Sequence, residues 1–317
     1  SGKHNNWSIG NAGANLLDPG KHPEDNLQFL VFLSAVVKAV DEYQDILRAS
    51  IATAGNDHRL GGNEAPPAIV SMYLGDTLGG IVDAIINDRE YEPSAANQMD
   101  LGVDVLPHFL KDNSDRNRTS PFAFTGNKFE FRMPGSAVNL SDTNVVLNVA
   151  VAEALKEFAE AVEGAPDFEA AAREQVSTTL KEHQRIIFNG NGYSEEWPKE
   201  AARRGLLNLE SAVDALPSII ADKNVALYEE FGILTKTELQ SRYEVKLEQY
   251  SKLVNIEART MLRMARQMYL PAVSDYAANV ASNITAVKDA CADASTMAEE
   301  KTLAKLSKGS DDIYTLI

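Results

Sequence analysis

The sequence is poor in cysteine and has no long hydrophobic run. Its 317 residues include one cysteine, Cys291, so no disulfide can form within the chain, and a reducing compartment fits this composition best. The longest apolar run, residues 29–37, is far shorter than the roughly 20 residues that a membrane-spanning helix needs. Residues 1–26 lack the apolar segment of a secretory signal. We therefore expect a cytoplasmic protein with no membrane segment.

Basic residues are also scarce. The chain has 30 Lys and Arg against 46 Asp and Glu, which gives a formal net charge of −16. Such a field repels the phosphates of nucleic acids and the surfaces of anionic membranes. The sequence therefore indicates that neither nucleic acid nor a membrane is a partner. With 44% hydrophobic and 24% charged residues, the composition is that of an ordinary globular protein, long enough for about two domains.

The first 90 residues alternate between loops and short regular elements. Clusters of Gly, Asn, Asp and Pro predict loops at 1–25 and 51–67. Apolar residues at three- and four-residue steps predict one long helix over 25–50. A short strand at 68–73 and a short helix at 76–88 are expected to follow.

Phenylalanines in the middle of the chain follow an alternating pattern. Those of residues 122–131 flank a turn at 125–128, which predicts a β-hairpin within two extended runs over 112–134. Successive side chains of a strand point to opposite faces, so we expect Glu130 and Arg132 together on the face away from the aromatic side.

The second half of the sequence is almost entirely helical in pattern. An apolar stripe runs through 151–162, and Thr235 and Glu238 form a capping-box signature ahead of a second long helix. We expect Pro271 to end that helix. Residues 274–308 have weak periodicity, which favours a peripheral helix or arm.

Several polar residues stand out against this background as candidates for chemistry. Alone, each has an ordinary structural interpretation, because a single histidine is usually structural and a Glu-x-Arg pattern usually marks a solvated face of a strand. Together, His4 and Glu130 offer an imidazole nitrogen and a carboxylate to a divalent metal, and Arg59, Arg118 and Arg132 offer planar guanidinium groups to carboxylates or phosphates. This combination is typical of phosphoryl transfer from ATP, where positioning and charge neutralisation supply the catalysis.

Five segments of the sequence resemble segments of one protein family and occur in the same order. Residues 1–8 (SGKHNNWS), 56–67 (NDHRLGGNEAPP), 115–132 (DRNRTSPFAFTGNKFEFR), 185–197 (RIIFNGNGYSEEW) and 204–209 (RGLLNL) resemble segments of type III glutamine synthetase. The resemblance covers the chain up to about residue 275. The chain thus resembles the C-terminal portion of a subunit of that family.

The resemblance implies a metal and glutamate site. His4 and Glu130 match two ligands of the Mg²⁺ or Mn²⁺ ion that bridges the ATP phosphates. Arg59 and Arg132 match the arginines that hold the substrate glutamate, and Glu64 matches the flap carboxylate that closes the site and takes a proton from ammonium. A carboxylate suits that role because it attracts a cation and acts as a general base once water is excluded.

The resemblance also implies a nucleotide site, with two departures. Arg118 matches an arginine that stabilises the transferring phosphoryl group, and Asn6 and Ser8 fall at nucleotide-contacting positions. The shorter types of the family carry a second histidine where Asn6 stands, and an arginine where this sequence has Ala123. We expect Lys128 to supply the cation that Ala123 lacks.

The resemblance finally implies an architecture and a function. The expected fold is α+β, with residues 1–165 forming the C-terminal part of the catalytic domain and residues 166–317 a helical region typical of type III enzymes. The expected reaction uses ATP to ligate ammonia to L-glutamate, in a homo-oligomer that is a dodecamer of two hexameric rings. Two alternatives remain open, namely a glutamate–amine (polyamine) ligase and a catalytically inactive structural or regulatory relative. We expect residues 1–317 alone to be inactive, because the metal site that they contain is incomplete.

Overall fold

A small four-stranded sheet lies at the centre of the fold. The computed structural model describes residues 2–62, 65–92, 98–99, 109–110 and 118–317. The described strands are β1 (Asn5–Trp7), β2 (Gly10–Asn11), β3 (Ala14–Asn15), β4 (Met72–Tyr73), β5 (Gln98–Met99), β6 (Phe109–Leu110), β7 (Phe122–Phe124) and β8 (Phe129–Phe131). The central sheet has the order β1-β8-β7-β4, in which only the β4–β7 pair is parallel. Strand β1 therefore pairs with β8, although β4 and β7 lie between these two strands in the sequence.

Helices make up most of the rest of the described chain. They are α1 (Leu27–Glu42), α2 (Gln44–Ala49), α3 (Ala54–Asp57), α4 (Gly75–Ile86), α5 (Ser141–Val162), α6 (Phe168–His183), α7 (Trp197–Arg203), α8 (Ala212–Ala215), α9 (Asp222–Glu230), α10 (Lys236–Met264), α11 (Leu270–Ala290) and α12 (Met297–Leu316). Short 3₁₀ turns occupy Gln184–Ile186 and Leu216–Ile220. The expected α+β class is confirmed. Within the described residues, no helix combines the length and apolarity that crossing a bilayer requires.

The predicted hairpin is confirmed, and it builds one face of the core. Strands β7 and β8 pair antiparallel, and the N–H of Thr125 donates to the carbonyl of Lys128 at 2.8 Å. The rings of Phe122 and Phe129 stack with their centroids 5.0 Å apart, and Phe29 of α1 reaches Phe124 at 6.0 Å. The aromatic face of the sheet thus packs against the helical layer, in which α1 contacts α5 and α6.

Several local predictions are corrected. The expected loop 1–25 contains the strands β1, β2 and β3, and the expected loop 51–67 contains the single-turn helix α3. The helix expected over 25–50 is divided at Tyr43, whose φ of −109° and ψ of 23° lie outside helical values. The strand expected at 68–73 is reduced to β4. These elements are too short to show a periodic pattern in the sequence, and they form because of the segments that they pair or pack with in the fold.

The start of the second long helix is as predicted, but its end is different. Thr235 and Glu238 form the capping box, since the N–H of Thr235 donates to Glu238 Oε2 at 2.8 Å. Pro271 does not end the helical path. Helix α10 passes into a π-helical turn, Ala265–Tyr269, and Pro271 then lies in the first turn of α11. A proline is tolerated there because the first turn of a helix needs no N–H donor.

The chain divides into two compact units, residues 1–248 and 249–317. In the first unit, the sheet and the helices α1 to α9 share the core. In the second, α11 packs against α12, which replaces the single peripheral helix or arm expected for residues 274–308. The domain boundary expected at residues 165/166 stays a prediction.

Candidate active site

A polar face of the central sheet gathers most of the candidate residues. The phenylalanines of β7 and β8 occupy the opposite face, and strand alternation therefore directs Glu130 and the adjoining Arg132 to this side. Asn6 of β1 lies directly across from Glu130 in the register of the sheet. This arrangement confirms the prediction that Glu130 and Arg132 share the face away from the aromatic side.

His4 and Glu130 meet on this face. The Nδ1 atom of His4 lies 3.7 Å from Glu130 Oε2, with 55% of the histidine side chain exposed and 8% of the glutamate. Arg132 donates through Nε to the same carboxylate oxygen at 3.0 Å. The Glu-x-Arg pair is therefore a buried ion pair rather than the solvated face that such a pattern usually marks, since only 9% of the Arg132 side chain is exposed.

Helix α5 holds the strand that carries His4. Asn5 Nδ2 donates to Asn144 Oδ1 at 2.8 Å, and the indole N–H of Trp7 donates to Asn148 Oδ1 at 2.9 Å. Asn144 and Asn148 are four residues apart, so they lie one above the other on one side of the helix. These two asparagines were not among the residues predicted from the sequence. Two amides at helical spacing in an otherwise apolar segment were the available signal.

Arg59 lies beside Arg132, with much of its guanidinium bound to the backbone. It donates to the carbonyls of Met133 at 2.9 Å and Arg132 at 3.0 Å, and to Asn56 Oδ1 at 3.3 Å. The backbone of Gly2 approaches so closely that a Cβ there would clash with the guanidinium. Asn56, which is 2% exposed, also donates to the Met133 carbonyl at 3.0 Å. Arg59 therefore fixes the chain after β8, and its predicted contact with glutamate stays a prediction.

Ser8 and Lys128 lie at the hairpin turn. The Ser8 hydroxyl is 2.7 Å from Asn15 Oδ1 and 3.1 Å from the Asn127 carbonyl, so it joins the N-terminal segment to the turn. Lys128 is half-buried, while Asn6 and Ser8 are exposed. The nucleotide roles of Asn6, Ser8 and Lys128 stay predictions.

Arg118 is exposed in the turn that precedes β7, and a distant segment supports that turn. The N–H of Gly192 donates to Thr119 Oγ1 at 2.8 Å, and a Cβ on Gly192 would lie 2.5 Å from the Thr119 carbonyl oxygen. Only glycine fits at this close approach. Glu64, together with Asn63, Arg116 and Asn117, lies outside the described residues.

The segment around Gly192 is itself anchored at both ends. Asn189 Oδ1 accepts from the N–H groups of Leu74 and Gly75 at 3.0 and 3.3 Å, which caps the start of α4. Phe188 stacks on Trp197 with the ring centroids 3.7 Å apart. This segment, which the sequence analysis used only as a family signature, therefore connects α4 and α7 to the turn that carries Arg118.

Positive charge is concentrated on this face in an otherwise acidic chain. Arg132 pairs with the Glu130 carboxylate, Arg59 bonds the backbone of Arg132, and Lys128 precedes Glu130 by two residues, although the whole chain has a net charge of −16. A cluster of this kind is suited to anionic ligands, and guanidinium groups suit carboxylates and phosphates in particular. A histidine nitrogen and a carboxylate oxygen within reach of each other add a place for a divalent cation.

Comparisons with known proteins all point to one enzyme family. Residues 171–288 match the family model of the glutamine synthetase C-terminal domain. A protein of Dictyostelium discoideum named type-3 glutamine synthetase is 45% identical over 293 residues, which are 90% of this chain and 40% of the relative. A glutamine synthetase of Butyrivibrio fibrisolvens is 46% identical over 301 residues, 92% of this chain and 43% of the relative. One of Bacteroides fragilis is 42% identical over 297 residues, 91% of this chain and 41% of the relative.

Over about nine tenths of its length, the chain is therefore similar to proteins named glutamine synthetase, and residues 171–288 match the C-terminal domain of that family. The Dictyostelium relative carries the type III name that the sequence resemblance indicated. The chain spans about two fifths of the length of these relatives, since the matched shares are 40%, 43% and 41%.

Proposed function

We propose that the protein to which this chain belongs ligates ammonia to the side-chain carboxyl of L-glutamate at the expense of ATP. The reaction proceeds through a γ-glutamyl phosphate and gives L-glutamine, ADP and phosphate. The observation that carries this proposal is the cluster of His4, Glu130 and Arg132 on one sheet face, in a chain whose relatives are named glutamine synthetases.

The cluster fits a divalent ion, Mg²⁺ or Mn²⁺. His4 Nδ1 and Glu130 Oε2 are 3.7 Å apart, a separation that two ligands of one ion can share. His4 is largely exposed, and a carboxylate that accepts from Arg132 through Oε2 keeps further lone pairs with which it could serve an ion. An ion held there would neutralise the charge of the ATP phosphates. Two ligands do not complete its coordination, and we expect the others from parts of the complete protein outside this chain.

The chain's own cations bind and orient the anionic substrates. Arg59 and Arg132 hold the glutamate carboxylate, and Arg132 keeps its position through the bond to Glu130. Arg118 and Lys128 act on the phosphoryl group, where they stabilise the charge that it carries during transfer.

Asn6 and Ser8 complete the nucleotide side of the site in this proposal. Asn6 lies opposite Glu130 in the sheet, and Ser8 lies at the hairpin turn. Glu64 takes a proton from ammonium, so that ammonia attacks the acyl phosphate. We further propose a cytoplasmic homo-oligomer, a dodecamer of two hexameric rings, as the working form.

The test is phosphate release from ATP by the assembly purified from its natural source, with Mg²⁺ present and glutamate or ammonium omitted in turn. We expect release to require both substrates. No turnover from an intact assembly would favour a structural or regulatory relative, and turnover with an amine in place of ammonium would favour a glutamate–amine ligase. Either result would refute the proposal.

A further inference from the structure

A cavity lies in the first unit, apart from the candidate active site. It is enclosed by α2, the start of α5, α9 and the start of α10, and it has a volume of about 340 Å³. We call it the Tyr228 cavity. Its lining includes none of the candidate active-site residues. Its size lies at the lower end of the range for sites that bind small molecules.

The wall of the Tyr228 cavity is mainly apolar. Ile46, Val146 and Leu239 line its interior and are 2 to 3% exposed. Val145 and Ile233 also line it, and they are 36% and 46% exposed, so apolar surface continues from the interior to the entrance. A ligand that fills this space therefore gains most of its binding free energy from an apolar portion.

One polar group of the wall lacks a partner. Tyr228 is 5% exposed, and its hydroxyl makes no hydrogen bond within the described part of the chain. Burial and the nearby Asp142 carboxylate raise the pKa of Tyr228 to about 12. The hydroxyl therefore keeps its proton at neutral pH and is a donor without an acceptor. The hydroxyl oxygen still reaches open space, because it is not one of the buried side-chain atoms left without a partner, and it can donate there to water or to a ligand.

Two cations lie at the same cavity. Lys246 is paired with Asp142, with Nζ 2.8 Å from Oδ2. Arg242, one helical turn before Lys246, makes no hydrogen bond within the described residues; the Glu238 carboxylate interacts with it electrostatically but is hydrogen-bonded to Thr235. The lining charges therefore leave one net positive charge, carried by an exposed guanidinium. An anionic group suits this position, because guanidinium binds a carboxylate through two parallel hydrogen bonds.

We propose that the Tyr228 cavity binds a small carboxylic acid with an apolar tail, of the size of a medium-chain fatty acid. The tail occupies the apolar interior, and the carboxylate accepts hydrogen bonds from Arg242 and from the Tyr228 hydroxyl. This site is separate from the proposed ligase site and does not depend on its chemistry.

The test is isothermal titration of the complete natural protein with octanoate, and with octanol as a neutral probe of equal length. We expect saturable binding of octanoate and binding of octanol weaker by about tenfold, because a hydrogen bond to a charged group contributes about that factor. Absence of saturable octanoate binding, or equal affinity for both probes, would overturn the proposal.

Two variants of the cavity wall test whether octanoate binds in the Tyr228 cavity. Val145→Trp adds bulk at the entrance and is expected to abolish octanoate binding, and Arg242→Gln is expected to weaken it by about tenfold. Arg263→Gln is the matched control, because Arg263 is an exposed arginine of the same helix that bonds Gln267 and does not line the cavity. Val145 is already 36% exposed, so its replacement leaves the core intact. Unchanged affinity in both cavity variants would overturn the proposal.

Discussion

Removal of the Glu130 carboxylate is the sharpest test of the candidate site. Glu130 and Arg132 form an ion pair with side chains that are only 8% and 9% exposed. In Glu130→Ala, the buried Arg132 guanidinium loses the Glu130 carboxylate, and breaking a buried pair in this way costs about 3–5 kcal/mol. Glu130→Gln keeps an amide oxygen for Arg132, so its free energy of unfolding should fall by less. Both variants lack the proposed metal ligand and should release no phosphate.

An exposed ion pair of the same chain provides the control. Arg173 and Glu169 lie 3.0 Å apart, with 47% and 69% of their side chains exposed, so Glu169→Ala should cost only about 0.3–0.5 kcal/mol. Urea unfolding of the complete protein, followed by tryptophan fluorescence, compares the variants, and Trp7 lies beside β8 as a local reporter. Equal losses for Glu130→Ala and Glu169→Ala would refute the burial argument. Normal phosphate release by Glu130→Gln would refute the metal assignment.

Three further predictions concern the groups around this pair. Arg59→Ala should raise the KM for glutamate with little change in the KM for ATP, and an unchanged glutamate dependence in steady-state kinetics would contradict its role. Trp7→Phe removes the 2.9 Å bond to Asn148 and should lower the free energy of unfolding by about 1 kcal/mol in urea titrations; no change would mean that the bond is not formed. Gly192→Ala should reduce kcat of phosphate release, because its Cβ would displace the turn that carries Arg118. Gly309→Ala, which has open space around it, is the control, and equal rates for the two variants would contradict this reasoning.

Sequence patterns predicted the elements that carry a periodic signal. The hairpin β7–β8 and the capping box of α10 follow directly from alternation and from a four-residue motif. Strand β1 escaped prediction because three residues cannot show a period, and its strand character depends on pairing with β8. Pro271 was misjudged because the π-helical turn before it lets the helical path continue.

The site could be predicted as a set of residue types but not as a geometry. The sequence indicated that His4 and Glu130 suit a metal, yet only the fold brings them within 3.7 Å. The hydrogen bonds from Arg59 to backbone carbonyls could not be predicted from the sequence, because they depend on where the chain turns after β8. The positioning roles of Asn144 and Asn148 are long-range contacts of the same kind.

The long-range anchoring of β1 has a consequence for how the protein is made. The bond between Trp7 and Asn148 joins residues 141 positions apart. At a synthesis rate of about 5–20 residues per second, Trp7 is synthesised roughly 7–28 s before Asn148, to which it will bond. During that interval, the nascent segment with His4 has neither β8 nor α5 to pair with. The segment with His4 is therefore synthesised before β8 and α5, and it can dock only after both have been made, which lengthens the time in which a chaperone could bind it.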